Sequence, residues 1–253
     1  MNNNAWFKKE NPFQTVIGYG GGATGFGAYS SSATKTYVDD VFSTNVWIGN
    51  ETARNITNNI DLTKGGLVWA KSRNDTHDYH LADTVRGANQ IMMSNDTAAD
   101  ATLTNRITAF NSDGFTLGTA GQVNGTSAYN YAGWTFRKAK GFCDIVSYSG
   151  NGVAGRTISH GLGCVPGLII IKSTTDATSW FTYHRDLGPT KYVMFNHGNA
   201  VSTQSWFMND TAPTATEFTL GHSTNVNGSG RDYVAYVFAG AVSYTHLTLP
   251  TKA

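Results

Sequence analysis

The segment GNETARNITNNIDLTKGGLVWAKS (49–72) returns as GNGVAGRTISHGLGCVPGLIIIKS (150–173), its leading GN and closing KS both displaced by 101 positions. FTLG (115–118) returns at 218–221 and Val123-Asn124 as Val226-Asn227, displaced by 103, and YAGWTF (131–136) answers YVAYVF (233–238), displaced by 102. Matches in one order, drifting by only two positions, describe a domain-sized module copied in tandem, because solenoid units repeat every ~20–50 residues. A unit of about a hundred residues is long enough to bury its own core, so two modules are expected, at 37–140 and 141–240.

The repeated stretches read as strands. Leu67-Val68-Trp69-Ala70 and Leu168-Ile169-Ile170-Ile171 are apolar on both faces and open on Gly66 or on Pro166-Gly167, the pattern of a central strand. Phe115 and Leu117, like Phe218 and Leu220, alternate with polar residues. The closing strands alternate too. They place Ala132, Trp134 and Phe136, with Val234, Tyr236 and Phe238, on the face expected to be buried, and Tyr131, Gly133 and Thr135 on a face toward solvent or a neighbour. Charged residues are 14% of the chain, and it holds 28 glycines among abundant Thr, Ser and Asn, which favours turn-rich strands over helices. The fold class expected is all-β: two tandem antiparallel β-sandwich, jelly-roll-like modules of six to eight strands each. Residues 94–108 and their partner 199–204 fit either a short helix or an irregular crossing. Residues 1–36 read as a Gly/Ser-rich lead-in or linker. Residues 241–253 have no counterpart after the first module and resemble translated sequencing-adapter read-through, a non-native tail.

Several chemistries are disfavoured. A net charge of +1 without a Lys/Arg cluster argues against a nucleic-acid surface. No apolar leader or membrane span is legible, which fits an unprocessed chain made in a cytoplasm without membrane insertion. Cys143 and Cys164 lack CxxC spacing, Asp39-Asp40 and the aspartates at 75, 78 and 96 lack a calcium-loop spacing, and GYGGGATGFG (18–27) has neither strand before it nor helix after it. No metal and no cofactor is expected. Glu10, Glu51 and Glu217 are the only glutamates, and none has a counterpart in the other module, so a paired-carboxylate glycosidase site is poorly supported.

Two groups remain as candidates. His160, beside glycines and a cysteine, invites a catalytic role, yet the first module carries Asn59 at the position 101 residues earlier. A turn-bonding side chain fits both, so His160, Asn59 and Pro166 are expected to be structural turn residues and no catalytic residue is assigned. Trp180, Tyr183 and His184, matched to the zone of Asp83 and Arg86, are the expected ligand-binding residues. Strict alternation would split Trp180 and His184 from Tyr183 unless a bulge intervenes.

Taken in order, YVDDVFST (37–44), GGLVWAKSR (65–73), DTVRGA (83–88), FNSDGFTLG (110–118), AGWTFRKAKGF (132–142), the segment 148–173, WFTYHRDLG (180–188), NDTAPTATEFTLG (209–221) and YVAYVFA (233–239) resemble an uncharacterised β-rich family found in tail-fibre-like virion structural proteins of marine bacteriophages. The resemblance implies a virion tail appendage made without a signal peptide, with other tail proteins as partners and a homo-trimer as one assembly. It brings no catalytic or binding residue with it. The function expected is a non-enzymatic structural protein that adheres to host-surface glycan. The alternatives are a spacer or trimerisation module, and a polysaccharide hydrolase or lyase.

Overall fold

The structure, a computed structural model, describes residues 36–240. The lead-in through residue 35 and the tail 241–253 lie outside the described residues. The described residues pack as one compact unit.

The first half holds nine strands: β1 (Phe42–Ile48), β2 (Arg54–Thr57), β3 (Gly66–Ser72), β4 (His80–Asp83), β5 (Gln90–Met93), β6 (Ala101–Thr102), β7 (Ile107–Asn111), β8 (Gly114–Leu117) and β9 (Asn130–Arg137). The second holds eight: β10 (Cys143–Ser149), β11 (Arg156–Ser159), β12 (Pro166–Ser173), β13 (Phe181–His184), β14 (Lys191–Met194), β15 (Ser202–Thr203), β16 (Glu217–Leu220) and β17 (Asp232–Ala239). The chain is all-β, with helical turns only at Val38–Val41, Leu62–Lys64, Gly121–Asn124 and Ser205–Met208 among the described residues.

Each half is built around a six-stranded antiparallel sheet. The first is ordered β1-β9-β3-β4-β5-β6 and the second β10-β17-β12-β13-β14-β15, strand for strand the same order. A smaller sheet lies over each: β2-β8-β7 in the first half and β11-β16 in the second. The apolar strands LVWA and LIII are central in their sheets, as their two-sided apolar pattern requires. The undecided stretch is an irregular crossing around the two-residue β6 over 94–106, with 107–108 already in β7, and residues 199–204 cross in the same way around β15.

Period-two alternation divides the side chains between three cores. In β3 and β9, Val68, Ala70 and Tyr131 point to the small sheet and meet Ile107, Phe115 and Leu117. In β12 and β17, Ile169, Ile171, Tyr233, Ala235 and Val237 do the same against Phe218 and Leu220. The opposite faces meet each other: Leu67, Leu81 and Met92 pack against Ile145, Ile170, Trp180, Val234 and Tyr236 in a shared core, edged by Trp69, Phe136, Leu168 and Phe238. The halves are thus two sheet-on-sheet packings joined back to back by an apolar seam.

This corrects the assignment of faces. The closing strand of the first half turns Tyr131, Gly133 and Thr135 into its own core, and all three are buried. Trp134, Phe136 and Phe238 are half-buried at the seam, and of the four aromatics expected to be buried only Tyr236 is. The reason is that both faces of these sheets are covered, one by a small sheet and one by the other half.

Paired details hold each half together. Tyr131 Oη donates to Gly121 O and accepts from Gly125 N–H (2.8 Å), and Tyr233 Oη donates to Thr224 O and accepts from Gly228 N–H (2.8 Å). Asn124 Nδ2 donates to Thr52 O and Gly118 O, while Asn227 Nδ2 donates to Val153 O and Gly221 O. Both amides are fully buried and stitch the long loop after β1 or β10 to the turn before the closing strand. That buried, fully bonded role explains why Val-Asn is kept in both copies.

Candidate functional site

The seam is not filled along its whole length. A cavity of about 340 Å³ lies between the two six-stranded sheets, with walls from Leu67, Leu81, Leu168, Ile170, Trp180 and Phe238 among others, almost all carbon. It adjoins an outer cleft of about 470 Å³ lined by Trp69, Tyr79, Ser94, Asn95, Phe195, Asn196 and His197. Trp69, Ser94 and Phe195 belong to both, so the cavity and the cleft form one site that is apolar inside and amide-rich outside.

Equivalent elements of the two halves build the mouth. The turn that follows β5 closes with Asp96 N–H on Met93 O (3.2 Å), and the turn that follows β14 with His197 N–H on Met194 O (3.2 Å). Asn95 Oδ1 accepts from Tyr79 N–H (2.9 Å), and Asn196 Oδ1 accepts from Trp180 N–H (3.0 Å). Each asparagine thereby locks its turn against the strand that follows β3 or β12. The halves differ where they meet: Ser94 in the first turn faces the larger Phe195 of the second.

Trp69, on the seam face of β3, is the hub of the aromatic wall. Its ring lies 5.5 Å from Phe195, 6.4 Å from Tyr79 and 6.1 Å from Trp134. Phe195 and Tyr79 are 45% and 37% exposed, an open aromatic surface beside three polar side chains. Trp69 Nε1 is buried without a hydrogen-bond partner. Lys71 Nζ lies 5.3 Å from the centre of the Tyr79 ring, near the contact distance of a cation–π pair.

A buried polar cluster ties the seam beside the cavity. Arg86 Nε donates to Asp83 Oδ2 (2.6 Å) and Nη1 to Asp100 Oδ1 (2.8 Å). Tyr236 Oη, from the other half, donates to the same Asp83 oxygen (2.7 Å). Burial alone works against the Arg86 charge, but Tyr236, Asp83 and Asp100 outweigh it and raise the guanidinium above its usual range. Lys172, fully buried on the seam side of β12, donates to Ser173 O (2.7 Å) and Asp176 O (3.2 Å). Burial, and then the Arg86 charge, bring its ammonium down to about 8. Tyr236 joins Asp83 and Arg86 from the other half, so the cluster ties the two halves, and removing one partner would leave a buried charge uncompensated.

The residues singled out from sequence fall in four places. Trp180 is 1% exposed, stacks on Tyr236 (6.3 Å) and donates through Nε1 to Met93 O (3.1 Å) and Asp96 O (3.0 Å), so it lines the inner cavity and clamps the opposite half instead of forming a surface platform. Tyr183 is buried in the core of the second half. His184 is exposed, with Nδ1 3.8 Å from Asp186. Asp83 and Arg86 belong to the buried cluster. These five do not converge on one groove.

His160 is a turn residue: its Nδ1 accepts from Leu162 N–H (3.3 Å) and its ring stacks on Phe218. Its counterpart by strand pairing is Asn58, not Asn59. Asn58 Oδ1 accepts from Ile60 N–H (3.1 Å), and Asn58 N–H and His160 N–H close the same loop on Asp113 O and Thr216 O. Asn59 follows in the left-handed region at φ 63°. Burial lowers the His160 pKa. Pro166 opens β12, opposite Ala239, at an irregularity in the register. Both cysteines are free thiols. The described residues hold no cluster of three metal-ligating side chains and no helix long and apolar enough to cross a membrane.

An all-β protein of two back-to-back sheet packings, with one apolar-to-polar site at their seam, is the class these features define. The chain belongs to the family of a domain of unknown function (DUF7483), which matches residues 38–248 and so takes in both halves and the seam between them. No curated protein and no solved structure matches it.

Sequence reasoning missed the mouth residues Trp69, Asn95, Phe195, Asn196 and His197. One signal was available: MMSN (92–95) and VMFN (193–196) are displaced by 101, the same offset as the flanking repeats.

Proposed function

We propose that this protein is a non-catalytic recognition module of a tail-fibre-like virion appendage, and that it holds a host-surface glycan at the seam cleft. The observation that carries the reading is the open aromatic wall of Trp69, Tyr79 and Phe195 set beside Asn95, Asn196 and His197. Aromatic faces take the apolar face of a sugar ring, and amides with an imidazole match its hydroxyls. The virion assignment rests on the family resemblance of the quoted motifs. Single contacts of this kind are weak, and many copies on one particle supply avidity of order 10² to 10⁴.

The alternatives are less well supported. Glycoside cleavage uses two carboxylates about 5–10 Å apart, and neither the cavity nor the cleft has a carboxylate in its lining. A spacer has no need of exposed aromatics at an interior seam. The test is a glycan array run with the intact protein and with Phe195→Ala. The reading expects binding that the substitution weakens by roughly 1–3 kcal/mol, the scale of one aromatic stacking contact. No binding on any glycan would favour the spacer, and release of reducing ends or unsaturated sugars would favour the enzyme.

A further inference from the structure

We propose that the ligand of the seam site is an amphiphile, a hydroxylated head carrying one alkyl or acyl chain, with the chain seated in the inner cavity and the head at the mouth. This inference rests on the reading of the seam as a ligand site and names the chemistry that site takes.

The two compartments adjoin and differ in character, the inner one almost wholly apolar and the outer one of mixed aromatic and polar lining. The inner one is walled by Leu67, Leu81, Leu168, Ile170 and Phe238 and offers almost no polar surface, so a sugar placed there would lose its hydrogen bonds to water without replacement. A chain of methylenes loses nothing of the kind and gains burial. At about 340 Å³ the cavity is at the lower end of small-ligand sites, and it is more than twice the size of an engineered apolar cavity of about 150 Å³ that stays dry and binds benzene.

The outer compartment supplies what a head group needs. Asn95, Asn196 and His197 stand at the rim, and Asn196 spends only its Oδ1 on the Trp180 backbone. Trp69 lies between the compartments and contributes to the wall of both.

The test uses n-alkyl glucosides of increasing chain length, methyl, butyl, hexyl and octyl, titrated calorimetrically below their micellar concentrations into the intact protein. Affinity is expected to rise about three- to fourfold per added methylene until the cavity is full, at one ligand per chain. Leu168→Phe, which narrows the cavity and leaves the mouth unchanged, is expected to bring the octyl glucoside down to the affinity of the methyl one. The wild-type series needs no variant and stands even if Leu168→Phe does not fold. Affinity independent of chain length, absence of binding across the series, or an octyl preference that survives in folded Leu168→Phe would each overturn the proposal. Plain saccharides that still bind the array in those cases would leave the glycan reading standing, and their failure to bind would remove both.

Discussion

At the scale of single residues, the two halves solve the same packing problem with different side chains. Trp47 stacks on Tyr131 (5.8 Å) and covers Gly133, where an added Cβ would lie 2.9 Å from the indole ring. The second half has the smaller Tyr148 stacked on Tyr233 (5.3 Å) and carries Ala235 in place of the glycine. Gly133→Ala is therefore expected to lower stability by about 1–3 kcal/mol through overpacking, and adding Trp47→Tyr should recover part of that loss in denaturant titrations. Additive effects would break the link between the two positions. A second contrast is electrostatic. His80 and Arg106 are hydrogen-bonded in the core of the first half, where the second half packs Phe181 near Phe207 (6.2 Å). Burial, and then the Arg106 charge, lower the His80 pKa from 6.5 to about 4. The folded state thus holds a neutral imidazole, whereas the unfolded chain takes up a proton below pH 6.5. The stability due to this group is complete above pH 6.5 and is lost, by about 3 kcal/mol, as pH falls toward 4. The stability gap between the wild type and His80→Gln, which cannot titrate, should shrink over that range; a gap constant from pH 7 to 4 would contradict the assignment.

At the scale of elements, β9 and β17 occupy the same place in their sheets and face each other across the seam. Phe136 and Phe238 meet edge to face with centroids 5.6 Å apart. A double-mutant cycle with alanine at both should return a coupling of about 0.5–1.5 kcal/mol, and zero coupling would mean that the seam is not packed there. Half-burial limits the cost of Phe136→Ala to roughly 1–3 kcal/mol, less than a fully enclosed phenylalanine would lose. The strands themselves were legible in the sequence: LVWA, LIII and the two FTLG segments announced themselves by two-sided or alternating apolarity, and the repeat paired them. Which face turned inward was not legible, because Ala132-Trp134-Phe136 and Tyr131-Gly133-Thr135 are both compatible with burial once a second half covers the outer face. The same limit hid the site. Trp69 reads as one residue of an apolar central strand and Phe195 carries no signal of its own until two turns a hundred residues apart are brought together, and the 101-residue offset that misplaced His160 on Asn59 was wrong by one position because the loop between the matched strands carries the drift.

At the scale of the whole molecule, the two halves within residues 36–240 form one body and not two beads. The shared core of Leu67, Leu81, Met92, Ile145, Ile170, Trp180 and Val234, with the Arg86 cluster and the Trp180 clamp beside it, couples the halves energetically as well as spatially. Each buried aliphatic or aromatic side chain in that core is worth about 1.5–3 kcal/mol relative to exposure, so separating the halves would forfeit a large part of the stability of each. The candidate site exists only where the halves meet, which makes their union the premise of any function placed there. Differential scanning calorimetry tests it most directly. One transition is expected, with calorimetric and van't Hoff enthalpies equal for the whole protein; two resolved transitions, each with its own enthalpy, would show halves that fold independently and would contradict the account.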